Sequence, residues 1–404
     1  MVAIAGFTPE RVIAAVKEMY SAVAAAPERP YHFPVGRSAC LAVGYSESDL
    51  EGVPPESLAA FAGVAAPFRA GVIRPGHAVL DLGAGAGTDA CIAARLAGPG
   101  GKVFALDMTP AMLERLRLLK ARHGLANMEV IEGAADSIPL ADASVDVVTS
   151  NGVLNLVFDK KKAVAEIFRV LRPGGHVQIA DIVIGRPVDP DCSTDPKLWA
   201  ECVVGATVFE DYLDLFRDAG FEDVTVLRSH DYFVLSRSAE TREIARRFGA
   251  RAVEIRMRRA AVAPSRLVQL ARRLDPRRAI ASLRRRGLAG TAALGLSMLA
   301  CYGSLAATAL LALSGYSAAL HDAAVAGAVV LFAALAAVSV AAGTRRHGAR
   351  APLGLAVGGV AVLAYVMFVR YHLAVELAGF ALLASAVLLD YRQRRRTRPT
   401  ISTP

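Results

Sequence analysis

Residues 79–98, VLDLGAGAGTDACIAARLAG, place an aspartate, Asp81, just ahead of three alternating glycines, Gly83, Gly85 and Gly87. Lacking a Cβ, glycine lets the chain turn tightly and lie against a ligand that a side chain would exclude. After Gly101 the run KVFALD ends in Asp107. A carboxylate there can accept both hydrogen bonds from a ribose diol. The five cysteines, Cys40, Cys91, Cys192, Cys202 and Cys301, are the other reactive side chains. Their odd number and irregular spacing match neither a disulfide framework nor a CxxC zinc site. No aspartate–histidine pair stands out as a general base, and nothing in sequence singles out His123, His176 or His230.

These residues need a scaffold, and the surrounding pattern supplies one. An apolar run interrupted by Asp81 enters the glycine turn, and a helical pattern follows it: strand, loop, helix. Further strands read as MEVIEG (128–133), VDVVTSNGV (145–153), GGHVQIADIV (174–183) and DVTVLRS (223–229). Amphipathic stretches of helical length separate most of them, which predicts a doubly wound, Rossmann-like α/β sheet. Dinucleotide and S-adenosylmethionine (SAM) sites share a glycine loop with a distal acid, so the loop alone does not choose between them.

The 404 residues leave room for more than one domain, and 54% hydrophobic content with 21% charged residues excludes a disordered chain. The net charge of +9 hides two opposites. Residues 1–241 hold 22 Lys and Arg against 31 Asp and Glu, a net −9, whereas residues 242–404 hold 24 Arg, no Lys and six acids, a net +18. In the second half Gly287–Leu320, Ala323–Thr344 and Ala351–Val369 lack charged side chains, and Tyr371–Leu389 is interrupted only near its start, by His372 and Glu376. A hydrocarbon core about 30 Å thick takes roughly 20 helical residues, so the pattern predicts an all-α domain of four transmembrane helices, with His372 and Glu376 at an interface. The arginine-rich segments before the first span, between the second and third, and after the fourth predict that both termini are cytoplasmic in a multi-pass inner-membrane protein. The N-terminus, MVAIAGFTPERVIAAV, has no basic region followed by an apolar run, so no cleaved signal peptide is expected. Residues 242–286 carry 15 Arg against Glu243, Glu254 and Asp275. With a span following directly, that run reads as a linker on anionic lipid, each Arg contributing about 1 kcal/mol, and not as a nucleic-acid surface. The expected domains are a helical cap or substrate segment (1–70), the α/β domain (71–240), an Arg-rich juxtamembrane linker (241–286), four spans (287–390) and a basic tail (391–404).

VLDLGAGAG, LDMTPAML, EGAADSIPLADASVDVV and FRVLRPGGHVQIAD, in that order, resemble the landmarks of class I SAM-dependent methyltransferases over residues 70–185. By position the resemblance implies that Asp81 orients the loop and the methionine amine. Gly83, Gly85 and Gly87 would line the methionyl and ribose parts, and Asp107 would take the ribose diol. It implies further that Met108 packs on the adenine, that Asp136 or its neighbouring backbone reaches the adenine amino group, and that Asn151 faces the methyl-transfer site. SAM would be the methyl donor, with no metal required.

Within that class YHFPVGR, LAVGYSESDLEGVP, SNGVLNL with DKK after it, and LWAECVVGATVFEDYLDLFRDAGFEDV resemble arsenite methyltransferases over about residues 8–230. The resemblance implies thiolate capture of As(III) by cysteines at three places. Here only Cys202 stands at one of them; Gly152 and Val64 occupy the other two. Glutathione or another small thiol would then complete the ligand set. Cys202 is equally well a small core residue, Cys91 reads as packing and Cys192 as an exposed loop residue, and Cys40 could close over the site. The C-terminal helices loosely resemble MerC-type mercury-resistance proteins, with Cys301 kept and Met298 in place of a second cysteine. Three readings stand: a tethered methyltransferase acting on a metalloid or other soft small molecule, one acting on a membrane-delivered lipid or quinone-like acceptor, and a metal transport or binding module with a SAM-sensing domain.

Overall fold

The computed structural model describes residues 8–187, 205–261, 288–313 and 322–396, with isolated positions at 276, 280 and 283. They fall into two units that divide after residue 273. Cys192, Cys202, most of the run from 262 to 287 and the tail after 396 lie outside the described residues.

The first unit opens with four helices: α1 (Pro9–Ala25), α2 (Arg37–Val43), α3 (Glu47–Leu50) and α4 (Pro55–Ala59). Thr8 caps α1 by accepting from the Arg11 amide, and Pro9 occupies its first turn, where a missing N–H costs nothing. A single 3₁₀ turn, Pro67–Ala70, leads to the sheet.

Eight strands follow: β1 (Ala78–Leu82), β2 (Lys102–Asp107), β3 (Met128–Glu132), β4 (Val145–Asn151), β5 (Leu171–Ile184), β6 (Thr207–Val208), β7 (Phe221–His230) and β8 (Arg251–Arg259). Between them stand α5 (Thr88–Ala97), α6 (Pro110–His123), α7 (Lys160–Val170), α8 (Phe209–Ala219) and α9 (Ala239–Phe248). The order is β3-β2-β1-β4-β5-β8-β7, with β6 pairing β5 off the end of that path. β1 to β5 pair in parallel, while β8 runs antiparallel to both β5 and β7. The expected Rossmann-like α/β fold is present as a mixed sheet. Its two faces are covered by separate apolar clusters, one including Val79, Ala90 and Leu116, the other Leu80, Ile167 and Phe216.

β8 corrects the expected linker of 241–286. Its first part holds α9 and a central strand of the sheet. Val253, Ile255 and Met257 alternate into the core, while Arg256 on the opposite face is exposed. Arginine density had hidden that period of two.

The second unit contains α10 (Ala289–Leu313), α11 (Asp322–His347), α12 (Ala351–Phe368) and α13 (Leu373–Arg396). Within α11, α12 and α13, the stretches Ala324–Arg345, Ala351–Phe368 and Leu373–Arg394 are long and apolar enough to cross a membrane. Small residues such as Ala333, Ala336, Ala356 and Ala386 face inward, while Leu331, Val338 and Val357 are exposed, as a lipid-facing surface would have them. Met298 is exposed and Cys301 buried, three residues apart on α10. Glu376, in the first turn of α13, is fully buried and its Oε1 accepts from the Cys301 thiol at 2.8 Å.

Candidate functional site

The glycine turn joins β1 to α5, and each glycine is needed for a different reason. Gly83, Gly85 and Gly87 have φ of 74°, 52° and 93°, in the region that penalises a Cβ. A Cβ on Gly83 would collide with Val153, and one on Gly87 would come within 2.8 Å of Leu116. A Cβ on Gly85 would meet nothing within 4 Å. Gly85 is therefore the glycine whose missing side chain leaves room for a ligand.

Three carboxylates crowd this turn. Asp81 at the end of β1 is buried and its Oδ2 has no hydrogen-bond partner. Desolvation, then the charges of Asp89 and Asp107, hold its pKa well above the usual range. Asp89, in the first turn of α5, is pushed up to about 6 by burial, against the opposing effect of hydrogen bonds from Tyr45 and Asn151. Asp107 accepts from the Gly85 amide at 2.9 Å and the Thr109 amide at 2.7 Å, and burial raises its pKa as well. Buried acids this close favour a cation between them.

Asp89 and Asp107 line a cavity of about 390 Å³, and Asp81 lies buried behind them. Gly83, Asp89, Asp107, Met108, Asp136, Asn151 and Gly152 line its floor, and Ile13, Val16, Tyr20, Phe61, Leu156 and Phe158 are among its walls. Met108 and Asp136 stand at the cavity as expected, Asp136 within 3.6 Å of Lys162. The cavity lined by Asp89 and Asp107, beside the open side of Gly85, fits a nucleoside carrying a cationic amino-acid tail.

Asn151 does not offer a free polar group to this cavity. Its Oδ1 accepts from Val64 N at 2.8 Å and more weakly from Ala65 N, and its Nδ2 donates to Ala65 O at 2.8 Å, Tyr45 Oη at 2.9 Å and Asp89 at 3.0 Å. Asn151 thus ties the chain before β1 to the end of β4, and its expected catalytic role becomes one of positioning. Tyr45 completes the cluster by donating to Asp89 at 2.5 Å. Sequence reasoning missed both Tyr45 and Asp89. Asp89 has the form of an ordinary acid in a helix first turn, and nothing local signals Tyr45.

Among the described residues of this unit, the thiols are poorly placed for capture. Cys40 and Cys91 are buried, and desolvation pushes both up to about 12. Neither lines the cavity. Val64 and Gly152 are brought together: a Cβ on Gly152 would stand 3.3 Å from Val64 Cγ1. Among the described residues no histidine lines the cavity. His123 pairs with Glu56 at 2.7 Å, while His176 and His230 are held below their usual pKa by burial.

This sheet order and this turn define a Rossmann-like methyltransferase domain, and the family model described as Methyltransferase domain matches residues 73–229. A second model, the MerC mercury resistance protein, matches residues 288–392. Among curated relatives, the chain is 41% identical over 160 residues to the arsenite methyltransferase of Halobacterium salinarum, covering 40% of this chain and 41% of that one. It is 36% identical over 167 residues to the arsenite methyltransferase of Aquipseudomonas alcaligenes, covering 39% and 48%. The solved structure of CrArsM, an arsenic(III) S-adenosylmethionine methyltransferase from Chlamydomonas reinhardtii, is 35% identical, covering 57% of this chain and 75% of that one, with a TM-score of 0.46. The chain spans less than half the length of the curated relatives it matches.

Proposed function

We propose that this chain is a membrane-tethered SAM-dependent methyltransferase whose acceptor is a soft centre of the arsenite type. The observation that carries methyl transfer is the glycine turn with Asp89 and Asp107 at the floor of the cavity and Asp81 buried beside them. Asp81 and Asp89 would hold the cationic amine, Asp107 the ribose, and Met108 and Asp136 would border the adenine. SAM, when bound, supplies a methyl group on a sulfonium that is already a good leaving group. The chain's own part is to orient and exclude water. Ile13, Val16 and Tyr20 of α1 and Phe61 form apolar walls, and Asn151 fixes the segment at Val64.

The arsenite-type acceptor draws support from the relatives named above and from the juxtaposition of Val64 and Gly152. Since neither carries sulfur, Cys202 together with glutathione or another small thiol would complete the ligands. A metalloid lone pair is itself the nucleophile, which suits a cavity without a histidine among the described residues. The helices would anchor the enzyme as a multi-pass protein of the cell membrane, with the catalytic unit and both termini cytoplasmic. The arginine run ahead of them would rest on lipid and not on nucleic acid. A second reading, a lipid or quinone-like acceptor taken from the bilayer, is favoured by the apolar walls. A metal transport module with a SAM-sensing domain fits less well, because Met298 offers no second thiol to relay a metal with Cys301.

The deciding experiment incubates the full chain in nanodiscs with labelled SAM and either arsenite plus glutathione or a membrane lipid extract, with mass detection. Methylated arsenic that disappears in Cys202→Ser supports the first reading. A methylated lipid formed without thiols replaces it, and failure to bind SAM at all removes both.

A further inference from the structure

Glu254 is fully buried in the middle of β8, beyond the residues that the methyltransferase family model matches. Its cross-strand neighbours are Ala180 on β5 and Arg228 on β7. A lone carboxylate in the centre of a sheet is costly to bury unless it is paired. Here Oε2 accepts from Arg69 Nε at 2.8 Å, while Oε1 lies 3.5 Å from both Arg228 Nη1 and the Ala66 amide. Arg228 reaches on to the Val43 carbonyl at 3.0 Å. The acid therefore gathers two separate parts of the N-terminal segment onto the last hairpin of the sheet.

Val64 N and Ala65 N point to Asn151 Oδ1, and the next amide, Ala66 N, points to Glu254. Three consecutive backbone donors are thus accepted by side chains from β4 and β8. The segment they fix carries Val64, which packs against Gly152 on the cavity floor. A shift of this segment would move the cavity wall at Ala62 and Gly63 together with Val64, while the glycine turn and Asp107 are held by other bonds.

We propose that Glu254, with Arg69 and Arg228, is a positioning residue that, through Ala66, sets the acceptor-side wall at Ala62 and Gly63 and the seat of Val64 beside Gly152, leaving the SAM side unaffected. The assignment of sides rests on the methyltransferase reading above; the mechanical link from Glu254 to Val64 does not. Glu254 touches neither ligand and acts through the backbone it holds.

The test uses the full chain in nanodiscs, comparing Glu254→Gln and the milder Arg69→Met, whose side chain is half exposed. Amide exchange in a peptide covering 60–70 should accelerate about tenfold in both variants, with β1 and β2 peptides unchanged and S-adenosylhomocysteine affinity within twofold of the parent. A second readout places the same changes on a Val64→Cys, Gly152→Cys background. Phenylarsine oxide binds such a pair by forming two As–S bonds as the two thiol protons leave with its oxygen as water. Its capture should weaken about tenfold when Glu254 is altered, with the chain lacking those two cysteines as the blank. Unchanged exchange at 60–70 in both variants overturns the proposal. So does a fall in S-adenosylhomocysteine affinity parallel to the loss of capture, since that marks general loosening. A parent chain that never binds S-adenosylhomocysteine defeats the methyltransferase reading but leaves the exchange result standing.

Discussion

Val64 and Gly152, far apart in sequence, meet beside the cavity: a Cβ on Gly152 would sit 3.3 Å from Val64 Cγ1 and 3.8 Å from Cγ2. These are the two positions where the resemblance to arsenite methyltransferases leads one to expect thiols. Their juxtaposition leaves two small apolar positions side by side where a pair of sulfurs could stand.

Restoring both thiols should create a site for trivalent arsenic. Val64→Cys with Gly152→Cys is expected to bind phenylarsine oxide one to one, with loss of two titratable thiols, where the parent shows no comparable stoichiometric site. Gly152 has φ +72°, so its replacement should cost about 1–2 kcal/mol in an unfolding experiment. Binding no tighter than the parent would show that the two side chains do not converge.

Gly83→Ala and Gly85→Ala should fail in different ways. The first drives a methyl into Val153 and should destabilise by an additional ~1–3 kcal/mol of overpacking. The second meets nothing in the protein and should cost only about 1–2 kcal/mol for its positive φ, yet lose SAM affinity at least tenfold. Thermal unfolding and calorimetric SAM titration of the pair read the two effects separately; equal loss of affinity and stability in both would contradict the assignment of Gly85 to the ligand side.

Asp89 predicts a pH dependence. Burial lifts it to about 6 in the fold, whereas an unfolded carboxyl titrates near 4. Between those values the folded chain keeps a proton that the unfolded chain has released, so the Asp89 contribution to stability declines from about pH 4 to 6 and is level above. A cationic ligand selects the ionised form, so SAM affinity should rise about tenfold between pH 5 and 7 as that form fills. Asp89→Asn should flatten this profile, and a profile unchanged in the variant would exclude the residue.

Cys40 and Cys91, both pushed up to about 12, should resist alkylation by iodoacetamide at pH 8 in the folded chain and react on unfolding. Substituting either with Ser should leave SAM affinity unchanged. Rapid native labelling of Cys40 would mean that the segment around α2 opens, and would revive a part for that thiol in acceptor capture.

The sequence was most readable where chemistry restricts residue choice. The glycines of 83–87 and the acid at Asp107 have few substitutes, and their spacing led directly to β1, α5 and β2. It was least readable where function arises by assembly. Asn151 looks like a group offered to a substrate, yet its amide is consumed by Val64, Ala65, Tyr45 and Asp89, which only the folded chain brings together. Glu254 and its neighbours read as part of a basic surface run because arginines occupy the exposed positions of β8. Glu376 reads as an interfacial charge because only about one turn separates it from the helix start; its burial against Cys301 depends on a different helix.

The placement of β8 bears on how the chain is made. Synthesis delivers β5 and β7 first, yet neither pairs with the other; β8, later in the chain, is inserted between them. Until residue 259 has emerged, both strands keep an open hydrogen-bonding edge, a state prone to mispairing and aggregation. A chain stopped near residue 240, just past the matched methyltransferase region, would stay in that state. Among the described residues the last strand to be made is therefore the one that closes the sheet, and it precedes α10 by only some thirty residues.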